Sequence, residues 1–312
     1  MKKDLLIAVI IPCYNEEITI KKTIQSCQNA LPTAFIYVYD NNSSDRTVQI
    51  AQASGAIVRT EKLQGKGNVV RRMFADVEAD IYVMIDGDDT YDMTNTQELI
   101  DILICNNLDM LNGRRVTNVK SAYRRGHRLG NRLLTNTVSM MFDNRFDDLL
   151  SGYRIFSRRF VKTFPAMSRG FEIETELTVH AMELRMPVAE YDVNYSDRPE
   201  GSVSKLRTYQ DGFRILKTIA ILVREERPLT FFGGAFFLFV SLSLLLAWPV
   251  FSTYLETGLV PRLPTAILST GLMLLGFLNL ACGLILDTVT LGRREHKRIA
   301  YLRYRAPNQT PG

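Results

Sequence analysis

Four times in the first 106 residues, an apolar run of strand length gives way to a segment whose apolar positions recur at helical spacing. Leu5–Ile11 is followed by Glu16–Ala30, Phe35–Tyr39 by Ser44–Ser54, Ala56–Arg59 by Lys66–Glu78, and Ile81–Ile85 by Asn95–Asn106. Leu5–Ile11 and Ile81–Ile85 are apolar at consecutive rather than alternate positions, which fits strands covered on both faces. Strands alternating with helices predict crossover units, hence an α/β domain with a mostly parallel sheet. Asp109–Gly113 reads as a further strand. Asn42-Ser43-Ser44-Asp45, and Thr94 or Asn95, stand where caps of the second and fourth helices are expected.

From Thr208 the pattern changes. Phe213, Leu216, Ile219, Ala220 and Val223 share a helical face, with Arg214 and Lys217 between them, as in an amphipathic helix lying at a membrane surface. Phe231–Tyr254 and Leu263–Leu286 contain no charged residue, and each is long enough for a bilayer core of about 30 Å. Arg224 and Arg227 precede the first; Arg293, Arg294, Lys297 and Arg298 follow the second. Basic flanks on both sides place both in the cytoplasm. The expected organisation is a cytosolic catalytic domain over 1–207, a juxtamembrane helix over 208–228, a two-helix hairpin over 229–290 and a basic cytosolic tail over 291–312. The tail, Arg293–Arg305, is read as a solvated end, a headgroup contact or a subunit contact. Lys2 and Lys3 before Leu5–Ile11 imitate a signal peptide, but the run is short and no small-residue cleavage site follows, so a first strand is expected instead.

Composition narrows the partners. The net charge of +5 suits nucleic acid, a membrane surface or phosphorylated substrates, and the two apolar stretches favour the last two. Arg114–Arg132 concentrates six arginines, one lysine and one histidine with no acidic residue. A solvated helix face is the plain reading; an anion or lipid-headgroup site is its rival. The four cysteines, Cys13, Cys27, Cys105 and Cys282, form no Cys-x-x-Cys pair, so zinc and dithiol redox motifs are unsupported.

Three polar clusters end predicted strands: Pro12-Cys13-Tyr14-Asn15-Glu16-Glu17, Asp40-Asn41-Asn42-Ser43-Ser44-Asp45-Arg46-Thr47 and Asp86-Gly87-Asp88-Asp89. In a parallel sheet these converge at the carboxyl edge, where open α/β folds bind ligands. Asp86 and Asp88 flanking one glycine can hold Mg²⁺ or Mn²⁺, hard cations that keep coordination positions for substrate phosphates. An acidic turn explains the same triplet less ambitiously, and Asp89 is expected to face solvent.

In order along the chain, Pro-x-Tyr-Asn-Glu, Asp-Asn-x-Ser-x-Asp-x-Thr, the Gly65-Lys66-Gly67 turn and Asp-x-Asp resemble the inverting family 2 glycosyltransferases, whose nucleotide-sugar-binding fold is called GT-A. Ser151-Gly152-Tyr153-Arg154 and Arg198-Pro199-Glu200-Gly201-Ser202-Val203-Ser204-Lys205 resemble the polyprenyl-phosphate branch of that family. The likeness covers roughly residues 5 to 225. It implies roles residue by residue. Pro12, Tyr14 and Glu16 would shape the base and ribose pocket, Asp40 would contact the base, and Asn42, Lys66, Asp86 and Gly87 would complete the donor site. Asp88, with Asp86, would ligate Mg²⁺ or Mn²⁺. Arg198 and Lys205 would clamp the diphosphate. Arg114, Arg128, Asn131, Arg132, Ser151 and Arg154 would grip the acceptor phosphate, and Asp148 would orient the acceptor or an arginine. Thr90 stands where many relatives carry Gln or Glu, which leaves a further metal ligand unsupplied.

The implied activity is inverting transfer of a sugar, first glucose from UDP-glucose, to a polyprenyl (undecaprenyl or dolichyl) phosphate at the cytosolic face of a prokaryotic inner or plasma membrane, in cell-envelope glycan synthesis. Alternatives are a UDP-N-acetylhexosamine or GDP-mannose donor, or a saccharide acceptor in polysaccharide synthesis. A processive synthase would carry Gln-x-x-Arg-Trp after the core, whereas the only tryptophan, Trp248, lies inside an apolar stretch. A non-catalytic membrane scaffold and a nucleic-acid binder are the remaining readings. Two spans per chain leave room for a self-assembled bundle such as a tetramer.

Overall fold

A computed structural model describes residues 5–116, 135, 138, 142, 146–170, 172–196, 198–199 and 208–308, with side chains from 208–216 excepted. Arg128, Asn131, Arg132 and Lys205 therefore lie outside the described residues. The chain divides into two units, Met1–Phe213 with Lys297–Gly312, and Arg214–His296.

In the first unit, β1 (Ile7–Cys13), β2 (Phe35–Asp40), β3 (Ile57–Thr60), β4 (Ile81–Met84), β5 (Met110–Val116), β6 (Arg154–Ser157) and β7 (Val188–Asn194) form a sheet ordered β3-β2-β1-β4-β6-β5-β7. Four neighbouring pairs are parallel; the two that include β6 are antiparallel. The first half of the strand–helix alternation appears as predicted: α1 (Ile20–Ala30), α2 (Thr47–Ala53), α3 (Lys66–Asp76) and α4 (Thr96–Cys105) separate β1 to β5. Val9, Ile11, Val83 and Ile85 pack with Ile24 and Leu103 in one apolar core. β4 is buried at all four positions, as expected for a central strand roofed on both faces.

The strand order reverses beside β1, with β2 and β3 on one side and β4 on the other, which opens a crevice at the carboxyl ends of β1 and β4. The register aligns Cys13 with Asp40, and the Ile85 amide donates to Ile10 O at 3.2 Å. The polar clusters that follow these strands therefore emerge at one edge.

α5 (Arg158–Thr163) and α6 (Ile173–Glu183) follow β6 and lead to β7. The predicted side-chain caps of α2 and α4 differ in detail. Asp45 Oδ1 accepts from Thr47 N at 3.0 Å, while neither Thr94 nor Asn95 caps α4; Asp92 instead accepts from Thr94 N.

The basic tail is no solvated end over its described part. Tyr301 is buried, its hydroxyl donates to Asp109 Oδ2 at 2.8 Å, and the Arg159 and Arg298 guanidinium groups lie 4.4 and 4.9 Å from its ring centre. Lys297 pairs with Glu183 at 2.6 Å. These partners all belong to the first unit, so the tail completes that unit's packing.

α7 (Thr208–Glu226) leads to α8 (Pro228–Thr257) and α9 (Leu263–Leu302), and the second unit takes these helices from Arg214 to His296. Both long helices are apolar enough to cross a membrane, and only 6% and 11% of their most apolar windows are buried, unlike the core helices of a soluble protein. Ser243 Oγ donates to Ser269 O at 2.7 Å between them. At the polar end of the hairpin, buried Glu226 pairs with Arg293 at 2.7 Å and Arg294 at 3.2 Å.

Candidate active site

Three turns at the carboxyl edge carry non-glycine residues in the left-handed region: Asn15 (φ 52°), Asn42 (φ 66°) and Asp89 (φ 55°). Asn and Asp tolerate this conformation better than other side chains, and such residues gather where function fixes the backbone. The first two turns are laced together. Asn15 N donates to Ser43 Oγ, Ser44 N to Asn15 Oδ1 and Glu16 N to Thr47 Oγ1, each at 2.8 Å. Pro12 is half-buried, Tyr14 is exposed and Glu16 is buried. Asp40 is buried, and its carboxylate accepts from Ser43 N at 3.2 and 3.3 Å.

Asn41 and Asn42 hold the next loop. Asn41 Nδ2 donates to Glu61 O and Leu63 O, its Oδ1 accepts from Gly65 N at 2.7 Å, and Asn42 Nδ2 donates to Lys62 O. That loop delivers Gly65-Lys66-Gly67. A Cβ at Gly65 would lie 2.2 Å from Arg169 O, and one at Gly67 2.2 Å from Ser168 O, so only glycine lets the two segments meet. Glu176 fixes the opposing segment by accepting from Met167 N and Ser168 N, both at 2.8 Å.

Lys66 thereby enters the site buried. Its Nζ lies 2.6 Å from Asp86 Oδ1 and 2.6 Å from Glu174 Oε1. Burial pulls this ammonium down, but the two carboxylates outweigh it and hold the group above its usual value. Asp86 is fixed from its other side by Gly152, where a Cβ would stand 2.1 Å from Asp86 Oδ2. Gly152 N in turn donates to the buried Tyr91 hydroxyl at 2.8 Å.

Asp88 is 4% exposed. Arg198 approaches its Oδ2 at 2.7 Å and Glu16 Oε1 at 3.8 Å, while Thr90 Oγ1 donates to Asp88 Oδ1 at 2.6 Å. Burial, and then Asp86, push the Asp88 carboxyl up, against the pull of Arg198 and the Thr90 hydroxyl. Two carboxylates close together at a sheet edge, each drawing in a basic side chain, make a site that favours added positive charge. Gly87 supports the turn from below. Its carbonyl accepts from Thr19 Oγ1 at 2.7 Å, and a Cβ would meet Cys13 Sγ at 2.7 Å.

Among the described residues no group of three or more His, Cys, Asp or Glu forms a metal cage. Two aspartates are nonetheless a fitting donor set for Mg²⁺ or Mn²⁺, which share their coordination with water and phosphate oxygens.

Several expectations need correction. Asp89 does not face solvent: its side chain is 8% exposed and pairs with Lys22 at 2.6 Å. Arg154 is fully buried and spends its donors on Ser151 O, Leu149 O and Thr178 Oγ1, so it braces the Ser-Gly-Tyr-Arg turn and is out of reach of an acceptor phosphate. Ser151, also fully buried, donates to Gly113 O at 2.6 Å for the same purpose. Arg114 lies on β5 rather than on a helix, with Asp147 and, at 2.6 Å, Asp192 as ion-pair partners. Asp148 orients an arginine, namely Arg115, which grips it with two contacts of 2.7 Å. Burial alone would raise the Asp148 carboxyl; Arg115 holds it below its usual value.

Glu174, Arg115 and the contact role of Gly152 escaped the sequence reading. The available signal for Glu174 was an acidic residue at i−3 and i−7 from Leu177 and Ala181, on one helix face.

Comparison with known proteins agrees with this architecture. The family profile described as Glycosyl transferase family 2 matches residues 8–164. Glycosyltransferase AglJ of Haloferax volcanii is 30% identical over 299 residues, covering 95% of this chain and 98% of that protein. A protein of the same organism named dolichyl-phosphate hexose transferase is 27% identical over 221 residues, covering 71% and 95%. A crystal structure of Mycobacterium tuberculosis glucosyl-3-phosphoglycerate synthase with Mn²⁺, UDP-glucose and phosphoglyceric acid aligns with a TM-score of 0.57 at 22% identity, covering 70% of this chain and 79% of that one. With a GT-A-like sheet, its ligand edge and full-length similarity to AglJ in agreement, the chain belongs to glycosyl transferase family 2.

Proposed function

We propose that the protein transfers a sugar, with inversion, from a nucleotide donor to a polyprenyl phosphate at the cytosolic face of a membrane. UDP-glucose is the first choice of donor and undecaprenyl or dolichyl phosphate the acceptor. The observation that carries the reading is the Asp86–Asp88 pair at the sheet edge, flanked by Lys66 and Arg198, in a chain that also carries two helices of membrane-spanning length. The similarity to a protein named dolichyl-phosphate hexose transferase supports the acceptor class. The Mn²⁺ and UDP-glucose named for the mycobacterial enzyme of like fold support the donor class.

Asp88 and Asp86 would hold Mg²⁺ or Mn²⁺, which supplies Lewis-acid neutralisation of the diphosphate. The protein's own part is positioning and charge. Arg198, balanced by Asp88 and Glu16, brings a guanidinium to the place where the leaving diphosphate gathers charge. Lys205 would join it, with Arg128, Asn131 and Arg132 on the acceptor phosphate. Pro12, Tyr14, Asp40 and Asn42 would line the nucleoside. Cationic side chains are needed because two phosphate-bearing substrates repel each other.

A lipid monophosphate is already ionised near neutrality, its second pKa being about 6, so attack on the anomeric carbon needs little help from a base. Asp148 suits this account: locked to Arg115 and held in its ionised form, it organises the acceptor side and takes up no proton.

The test is incubation of detergent-purified protein with Mn²⁺ or Mg²⁺, undecaprenyl phosphate and a panel of radiolabelled nucleotide sugars. Label entering the organic phase with one donor, and absent with Asp88→Ala, is the expected result. Turnover of a donor onto a sugar or protein acceptor, with no labelled lipid, would overturn the acceptor assignment.

A further inference from the structure

Glu174 is a buried acid with no part in the reaction described so far. It sits in the first turn of α6, where the partial positive charge of a helix N-terminus favours a carboxylate. Its Oε1 lies 2.6 Å from Lys66 Nζ, which lies 2.6 Å from Asp86 Oδ1. The order is thus carboxylate, ammonium, carboxylate, ending on a residue of the cation-binding pair. The Lys66 ammonium is held by both carboxylates at 2.6 Å, so its charge acts on the site through Asp86.

We infer that Glu174 is a positioning residue that sets how strongly Asp86 holds a divalent cation. The inference rests on reading Asp86 and Asp88 as the cation site. With one carboxylate partner, Lys66 and Asp86 would form a neutral pair, and the ammonium would compete directly with an incoming metal. With two partners, the ammonium charge is shared, and the three groups together keep one net negative charge. Glu174 also ties the Lys66 ammonium by a second short contact, while Gly152 limits the Asp86 carboxylate from behind. Partners of metal ligands tune affinity in this way, with losses of roughly 10- to 100-fold when they are changed.

The experiment needs neither sugar nor acceptor. Full-length protein in detergent, with UDP, is titrated with MnCl₂, and free Mn²⁺ is followed by electron paramagnetic resonance. Glu174→Gln keeps the shape and an oxygen for Lys66 but loses the charge; it is expected to weaken Mn²⁺ binding about ten-fold or more. Glu174→Asp keeps the charge and is expected to stay within about three-fold of wild type, since Coulomb attraction changes little over one methylene. The opposite ranking, or equal affinity in all three proteins, overturns the inference. Thermal unfolding accompanies each variant. If Glu174→Gln does not fold, Glu174→Ala takes its place: a loss of about ten-fold or more supports the charge account and wild-type affinity refutes it. A wild-type protein whose Mn²⁺ binding is absent, or survives Asp88→Asn, refutes the cation-site reading and this inference with it. Asp88-dependent binding with an unaltered Glu174→Gln refutes only the inference.

Discussion

Substituting Gly152 by alanine tests whether the position of the Asp86 carboxylate governs activity. The added Cβ would lie 2.1 Å from Asp86 Oδ2, 2.5 Å from Cγ and 2.9 Å from Oδ1, whereas ordinary contact begins at 3.4 Å. Oδ2 must therefore retreat by 1.3 Å, the difference between 3.4 and 2.1 Å. Lys66 restrains the other oxygen at 2.6 Å, so the carboxylate has to rotate or the Gly152 strand end has to yield. A misplacement of about 1 Å at a reacting centre costs on the order of 10²-fold in rate, or about 2.7 kcal/mol of barrier. Gly152 is not among the glycines with positive φ, so alanine meets no backbone strain there. Asp86 is partly exposed and has room to move outward, so folding should survive, with a Tm change below about 4 °C. The assay is initial-rate sugar transfer at saturating Mn²⁺ beside a thermal unfolding scan. A variant that unfolds normally and keeps its rate within about three-fold of wild type would refute the reasoning.

Other consequences follow from the same geometry. Arg198→Ala should lower kcat by about 10²- to 10³-fold with a smaller effect on donor KM, as measured in full kinetic runs; Arg198→Lys, which keeps charge but not the fork, should recover part of it. Tyr301→Phe removes a hydrogen bond to the buried Asp109 carboxylate and should destabilise the first unit by about 1.5–3 kcal/mol, read by thermal unfolding and by faster proteolysis of the C-terminal segment. Burial holds the His180 imidazole down at about 3, below its ordinary 6.5, so the unfolded chain binds a proton that the folded chain refuses. Stability should therefore fall as pH drops from 6.5 towards 3, by up to about 1.4 kcal/mol per unit from this group, and His180→Leu should flatten that limb in pH-dependent unfolding. Asp148 acts in the same direction over a more acidic window. Its folded pKa is depressed by Arg115, so its contribution is present above the ordinary carboxyl value of 3.8 and is lost as pH falls through the lower folded value; Asp148→Asn should abolish that step.

Sequence patterns suffice for elements whose partners lie close along the chain. The consecutive apolar positions of β1 and β4 and the helical spacing of α1 and α4 gave the crossover units, because each forms by local hydrogen bonding and buries its face on the next strand. The Asp-x-Asp, Gly-Lys-Gly and Pro-x-Tyr-Asn-Glu clusters marked the polar carboxyl edge, because strand ends in a parallel sheet emerge together. The two apolar stretches were legible by length alone. β6 was not, since a strand of four residues headed by Arg154 has no alternation to betray it. Its antiparallel place between β4 and β5 depends on pairing with Asp109–Asn112 and Ile81–Met84, both distant in sequence.

Which side chains face which is likewise a property of the folded chain. Arg154 and Ser151 looked like anion ligands, yet the closing of the Ser-Gly-Tyr-Arg turn buries them against carbonyls that no local pattern names. Asp89 looked exposed until α1 brought Lys22 over it. Glu174 reaches Lys66 across 108 residues of sequence, and Tyr301 reaches Asp109 across 192. The sequence by itself therefore determined the α/β alternation, the acidic edge and the apolar hairpin, all of which rest on period and length. Only the tertiary structure decided that Lys66 is shared between Asp86 and Glu174, that Gly152 limits Asp86, and that the basic tail packs on its own domain. Such contacts form between positions far apart in the chain, where burial and charge neutralisation, rather than local spacing, select the partner.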